Sequence, residues 1–169
     1  FAAYAEAVGK QLGDRITHWM TLNEILTFAL VGYGVGSPAP HAPGLALGRA
    51  RDRWQVVHHA LLAHGRACQA LRASSPRPCK VSIAENYSPF VPVIETPEHI
   101  AAARLAFTRT EANGAILTPI LTGQYDPFWW EQQGAEVPEV RDGDLKVIHQ
   151  PLDGLGFNCY TGSYVKAAD

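Results

Sequence analysis

Ile16-Thr17-His18-Trp19-Met20-Thr21-Leu22-Asn23-Glu24 is the stretch whose reading decides the fold. Ile16, Trp19, Met20 and Leu22 are apolar and Thr17 and Thr21 are β-branched, which predicts a strand. The strand finishes on an amide beside a carboxylate. A buried carboxylate is costly without partners, so either this end opens into a polar site or the strand runs out into solvent. The segment alone leaves both readings open.

Two further stretches repeat the pattern. Lys80-Val81-Ser82-Ile83-Ala84 is a short apolar strand running into Glu85-Asn86, and Leu152-Asp153-Gly154-Leu155-Gly156-Phe157 is a third, running into Asn158-Cys159-Tyr160. Segments with helical periodicity lie between them. Strand and helix in alternation predict parallel βαβ units, an α/β fold. All three strands place hydrogen-bonding side chains at the carboxyl end, where α/β folds, and (β/α)8 TIM barrels above all, do their chemistry.

These residues carry a resemblance. His18-Trp19-Met20-Thr21-Leu22-Asn23-Glu24 is similar to the acid/base motif of the family 1 glycoside hydrolases, the β-glucosidase family. Gly32-Tyr33-Gly34-Val35-Gly36 with Ala42-Pro43-Gly44 resembles the loop after that motif. His58-His59-Ala60-Leu61-Leu62-Ala63-His64-Gly65 resembles the family's next helix, and Gly156-Phe157-Asn158-Cys159-Tyr160-Thr161 resembles its Asn-Tyr-Tyr-Thr strand end. Four segments in the family's order are far more specific than Thr-Leu-Asn-Glu alone. The resemblance implies strands four to six of a (β/α)8 barrel, with residues 1–169 forming one partial domain that is incomplete at both ends.

Composition agrees. An apolar content of 47% is ordinary for a globular protein. A net charge of -2 gives no electrostatic case for nucleic acid or an anionic membrane, and no apolar run reaches the roughly 18 residues of a membrane span. Cys68, Cys79 and Cys159 are scattered and odd in number, which suits a reducing compartment, and a cytoplasmic location is expected. A barrel needs about 250 residues, so the remainder of the barrel as a separate segment is an expected partner.

Along the chain, Phe1, Tyr4, Ala5, Val8 and Leu12 recur at helical spacing, with Gly13 as a stop. Leu26–Val31 predicts a short helix, and the Gly/Pro-rich stretch from Gly32 to Leu47 predicts a long loop at the site rim or a passive surface loop. Asp52–Arg72 predicts the main helix. Asp52 is its cap, Gln55 completes a capping box, and Trp54, Val57, Leu61, Cys68 and Leu71 form its apolar stripe. His58, His59 and His64 lack the i, i+4 spacing of a metal pair; ordinary packing or surface histidines are expected, and no metal or cofactor. Thr96 and Pro97 start another helix as cap and first turn. Trp129 and Trp130 are expected to seal a core edge rather than stack on a sugar. Asp142-Gly143-Asp144 is a turn, with Leu145, Val147 and Ile148 leading into the third strand.

Glycoside hydrolysis uses two carboxyl groups. The resemblance implies Glu24 as the acid that protonates the leaving oxygen and later deprotonates water. It implies Asn23 on the sugar 2-hydroxyl, Tyr160 on the nucleophile, and Asn158 at the same strand end with a lesser direct role. The substrate expected is a β-linked glycoside or oligosaccharide. The nucleophile belongs to a later strand that this sequence lacks, so the segment by itself is expected to be inactive; a purely structural or interaction piece is the alternative. Glu85 stands where the family pattern is apolar and is expected to be structural or at the rim. Asn86 matches a family asparagine. Ile25 replaces a proline, Cys159 replaces the first of two tyrosines, and Gly114, Ala115 and Thr118 depart from the family's pattern beside the site.

Overall fold

The computed structural model describes residues 1–34, 41–110 and 112–168. The three expected strands form one parallel sheet: β1 (His18–Asn23), β2 (Lys80–Asn86) and β4 (Gly154–Asn158), with β2 in the middle. Trp19 pairs with Val81, Ile83 with Leu155 and Asn86 with Asn158. The register of β1 on β2 slips between Met20 and Asn23. That irregularity re-aims the strand end just before Glu24. A second parallel pair, β3 (Phe90–Pro92) with β5 (Ser163–Val165), was not anticipated; each strand has three residues, too few to show a period.

The helices are α1 (Ala2–Leu12), α2 (Ile25–Tyr33), α3 (Ala50–Ser74), α4 (Pro97–Thr108), α5 (Thr118–Thr122), α6 (Pro127–Gln133) and α7 (Asp144–Ile148), with a π-helical turn over Ala112–Leu117. The α3 stripe buries as expected: Trp54, Val57, Leu61, Cys68 and Leu71 all lie in the core. Leu61 meets Ile25, Ile83, Ile116, Ile120 and Ile148 in the main cluster, and Cys68 and Leu71 join Ala5, Ala67 and Val81 in a second. Trp129 stacks on Tyr125 with ring centroids 5.2 Å apart and meets the edge of Trp54 at 5.1 Å. It is core, as the sequence suggested.

Some expectations need correction. The cap position of α3 is Arg49, without a side-chain cap; Asp52 lies in the first turn and pairs with Arg49 at 3.1 Å. Gln55 instead serves the chain at Glu139, accepting its N–H at 2.7 Å, because a chain crossing nearby competes for the same side chain. Phe1 and Tyr4 are exposed, and α1 buries Ala5 and Gly9 against α3. Small residues let the two helices approach: a Cβ on Gly9 would lie 2.2 Å from the Ser74 hydroxyl. Leu145, Val147 and Ile148, which lead into the third strand, form α7, and β4 starts at Gly154 rather than Leu152. Thr96 does cap α4, accepting the His99 N–H. Of the long loop, residues 35–40 lie outside the described residues; Leu45 and Leu47 donate to the carbonyls of Gly32 and Tyr33, both at 2.9 Å, folding the loop back on α2.

Candidate active site

The carboxyl ends of β1, β2 and β4 converge, and each contributes polar side chains there. Glu24 follows β1 directly and is the N-cap of α2. Its backbone is left-handed, φ 54 and ψ 61, the one positive φ outside glycine among the described residues. That conformation costs a non-glycine residue about 1–2 kcal/mol and persists only where the surroundings hold it. Here they do. The Glu24 N–H donates to the Ala84 carbonyl at 2.9 Å, its own carbonyl accepts from the Phe28 N–H at 3.1 Å, and the next amide, Ile25 N–H, donates to Glu85 Oε1 at 2.6 Å.

The Glu24 side chain is half-buried and is held from β4. The Asn158 amide donates to Glu24 Oε1 at 2.6 Å and to Asn23 Oδ1 at 2.8 Å. A carboxylate and an amide oxygen only accept, so one NH2 group with its two protons satisfies both. Asn23, Glu24 and Asn158 are therefore one hydrogen-bonded group spanning the end of β2. Asn158, expected to matter less, joins the other two. Tyr160 stands outside this group, two residues past β4, with 82% of its surface exposed. Asn86, at the end of β2, donates to Thr27 Oγ1 at 2.5 Å and ties the sheet to α2.

Of the two places expected for Glu85, structural or at the rim, it takes the structural one. It is fully buried, because at position 85 β2 turns its side chain under the first turn of α2 instead of toward solvent. Burial is the main cause that pushes its carboxyl up to about 7; the amides of Ile25, Asn86 and Leu26 oppose this, and the Glu24 charge adds to it. The sign follows. A carboxyl whose folded pKa exceeds its unfolded value binds more protons when folded, so its contribution is fully present below about pH 4.5 and is lost as pH rises through about 7. The loss is on the order of 3 kcal/mol at most. Glu85→Gln is expected to flatten that part of the stability–pH curve, measured by denaturant midpoints between pH 4.5 and 8. An unchanged slope would contradict the burial of this carboxyl.

His58 and His64 are packed in the interior, whereas His59 is exposed. His58 is buried between the Tyr125 hydroxyl at 2.8 Å and Asp144 Oδ2 at 3.1 Å. Burial lowers its pKa against the opposing pull of Asp144. His64 meets Thr21 Oγ1 at 2.7 Å, and burial pushes it down to about 4, which keeps it neutral. Among the described residues, no three His, Cys, Asp or Glu side chains converge as a metal-holding group. A cavity of about 870 Å³ lies along α1 and α3, with Arg49, Arg66 and Asp144 in its wall. None of Asn23, Glu24 or Asn158 lines it, and the strand ends, where strained backbone and polar side chains meet, are the better candidate.

Comparison with known proteins identifies the family and the fold. The family model described as glycosyl hydrolase family 1 matches residues 1–169. β-Glucosidase A of Acetivibrio thermocellus is 35% identical over 98% of this chain and 36% of its own length. A bifunctional β-D-glucosidase/β-D-fucosidase of Bifidobacterium breve is 37% identical over 99% of this chain and 34% of its own. Among solved structures, the Thermotoga maritima β-glucosidase in complex with deoxynojirimycin superposes with a TM-score of 0.77 at 31% identity, covering 98% of this chain and 36% of that one. A rice β-glucosidase gives 0.80 at 31% identity, covering 96% and 36%. The chain thus spans about a third of the length of the curated relatives it matches, and the sheet of β1, β2 and β4 is a segment of a (β/α)8 barrel.

Proposed function

The chain belongs to glycosyl hydrolase family 1, and on that premise we propose that it carries the acid/base half of a retaining β-glycosidase site. The observation that carries this reading is the single Asn158 amide holding Glu24 and Asn23 together at the strand ends. An acid that must reach a glycosidic oxygen needs a fixed position, and a strained backbone locked on three amides supplies it.

In this reading Glu24 gives its proton to the leaving oxygen as the bond to the anomeric carbon breaks, then takes a proton from the incoming water. A second carboxylate, outside this chain, attacks the anomeric carbon and forms the covalent intermediate. Asn23 meets the sugar 2-hydroxyl, and Tyr160 hydrogen-bonds that second carboxylate, which its exposed position past β4 leaves it able to do. Glu85 is not that carboxylate: it is sealed under α2 with one oxygen already bonded to Ile25. The substrate class is a terminal β-linked glucoside or a close relative.

The stereochemistry of the first-formed product tests the pair of roles. With the full-length protein and an aryl β-glucoside, proton NMR within the first turnovers is expected to show the β-anomer of the free sugar ahead of mutarotation. The α-anomer appearing first would replace a double displacement by a single one.

A further inference from the structure

Beneath the proposed acid lies a second carboxylate that the bond-breaking steps do not use. Glu85 is fully buried, accepts the Ile25 N–H through Oε1 at 2.6 Å, and has no protein hydrogen bond to Oε2. A buried charge-bearing group with half its hydrogen-bonding capacity unmet is costly, so its presence calls for a specific task. Ile25 explains it. Its side chain is also fully buried, so its N–H cannot reach water, and it is one of the first amides of α2, which have no partner within the helix. That amide belongs to the peptide bond leaving Glu24, the link whose orientation is set by the left-handed ψ of 61.

We propose that Glu85 is a positioning residue for Glu24: by accepting the Ile25 N–H it locks the left-handed turn that aims the Glu24 side chain at Asn158 and the substrate. A proline at position 25 would have no N–H to satisfy and would need no such acceptor. Glu85 and Ile25 are thus one device, and the two positions depend on each other. The proposal rests on Glu24 acting as the acid.

The test uses the full-length protein, with cellobiose turnover and thermal melting as separate readouts. Glu85→Leu leaves the Ile25 amide without an acceptor, and kcat is expected to fall about ten- to hundredfold with KM changed far less, since a misplaced acid slows the step without emptying the sugar site. Glu85→Gln keeps a carbonyl oxygen in the same place and is expected to recover most of that loss. Glu85→Leu combined with Ile25→Pro removes acceptor and donor together and is expected to recover turnover relative to Glu85→Leu alone. Equal losses for the Leu and Gln variants, a loss confined to KM, or a double variant that regains melting temperature but not kcat would each overturn the positioning role. Failure of the underlying acid assignment looks different: Glu24→Gln would leave cellobiose turnover intact, whatever the Glu85 variants do.

Discussion

Replacing Glu24 with glutamine in the full-length protein is expected to lower turnover of cellobiose by about 10²–10⁴-fold, the range that a positioned general acid contributes. Glutamine keeps the shape and still accepts the Asn158 N–H that now meets Oε1 at 2.6 Å, so the loss reports on the proton rather than on the fold. The size should depend on the leaving group. A sugar alcohol leaves poorly without a proton, whereas p-nitrophenolate leaves readily, so the first step with p-nitrophenyl β-glucoside should suffer far less. Pre-steady-state measurement of the nitrophenol burst separates that step from the hydrolysis that follows. Equal losses on both substrates in the first step would assign Glu24 a binding role instead. Asn158→Ala should give a smaller loss on both, because it frees the acid without removing it.

Gly65→Ala is expected to destabilise the protein by about 2 kcal/mol or more, at the upper part of the range for overpacking. In an unhindered helix the same change would stabilise by nearly 1 kcal/mol, so the sign is diagnostic. A Cβ on Gly65 would lie 1.9 Å from the Val147 carbonyl oxygen and 3.0 Å from Ile148 Cα. Both are backbone atoms of α7, which cannot yield as a side-chain tip can. Pushing α7 away would also shift the segment that feeds β4 and so Asn158, and activity should fall with stability. Urea midpoints for Gly65→Ala beside Gly48→Ala, where a Cβ would meet nothing within 4 Å, provide the comparison; Gly48→Ala should stay within about 0.5 kcal/mol of the parent. A stabilised Gly65→Ala would mean that α3 and α7 are not packed as described.

The sequence by itself determined the parallel sheet and the polar side chains gathered at its carboxyl end. Ile16 to Glu24, Lys80 to Asn86 and Leu152 to Asn158 are short apolar runs that close on amides and carboxylates, and period and burial cost are local properties that a chain displays without folding. Helix α3 was legible for the same reason, since Trp54, Val57, Leu61, Cys68 and Leu71 mark one face over about five turns. Its cap was not, because Asp52 and Gln55 were claimed by Arg49 and by the chain at Glu139, contacts that sequence spacing does not contain.

Only the tertiary structure decided what the polar residues do. Asn158 and Glu24 are 134 positions apart, and nothing in either segment says that one amide will bridge β1 and β4. The left-handed turn at Glu24 and the carboxyl of Glu85 beneath it have the same origin. Each is set by which groups are deprived of water when α2 docks on the sheet, and desolvation is a property of the assembled layers, absent from any single stretch of chain.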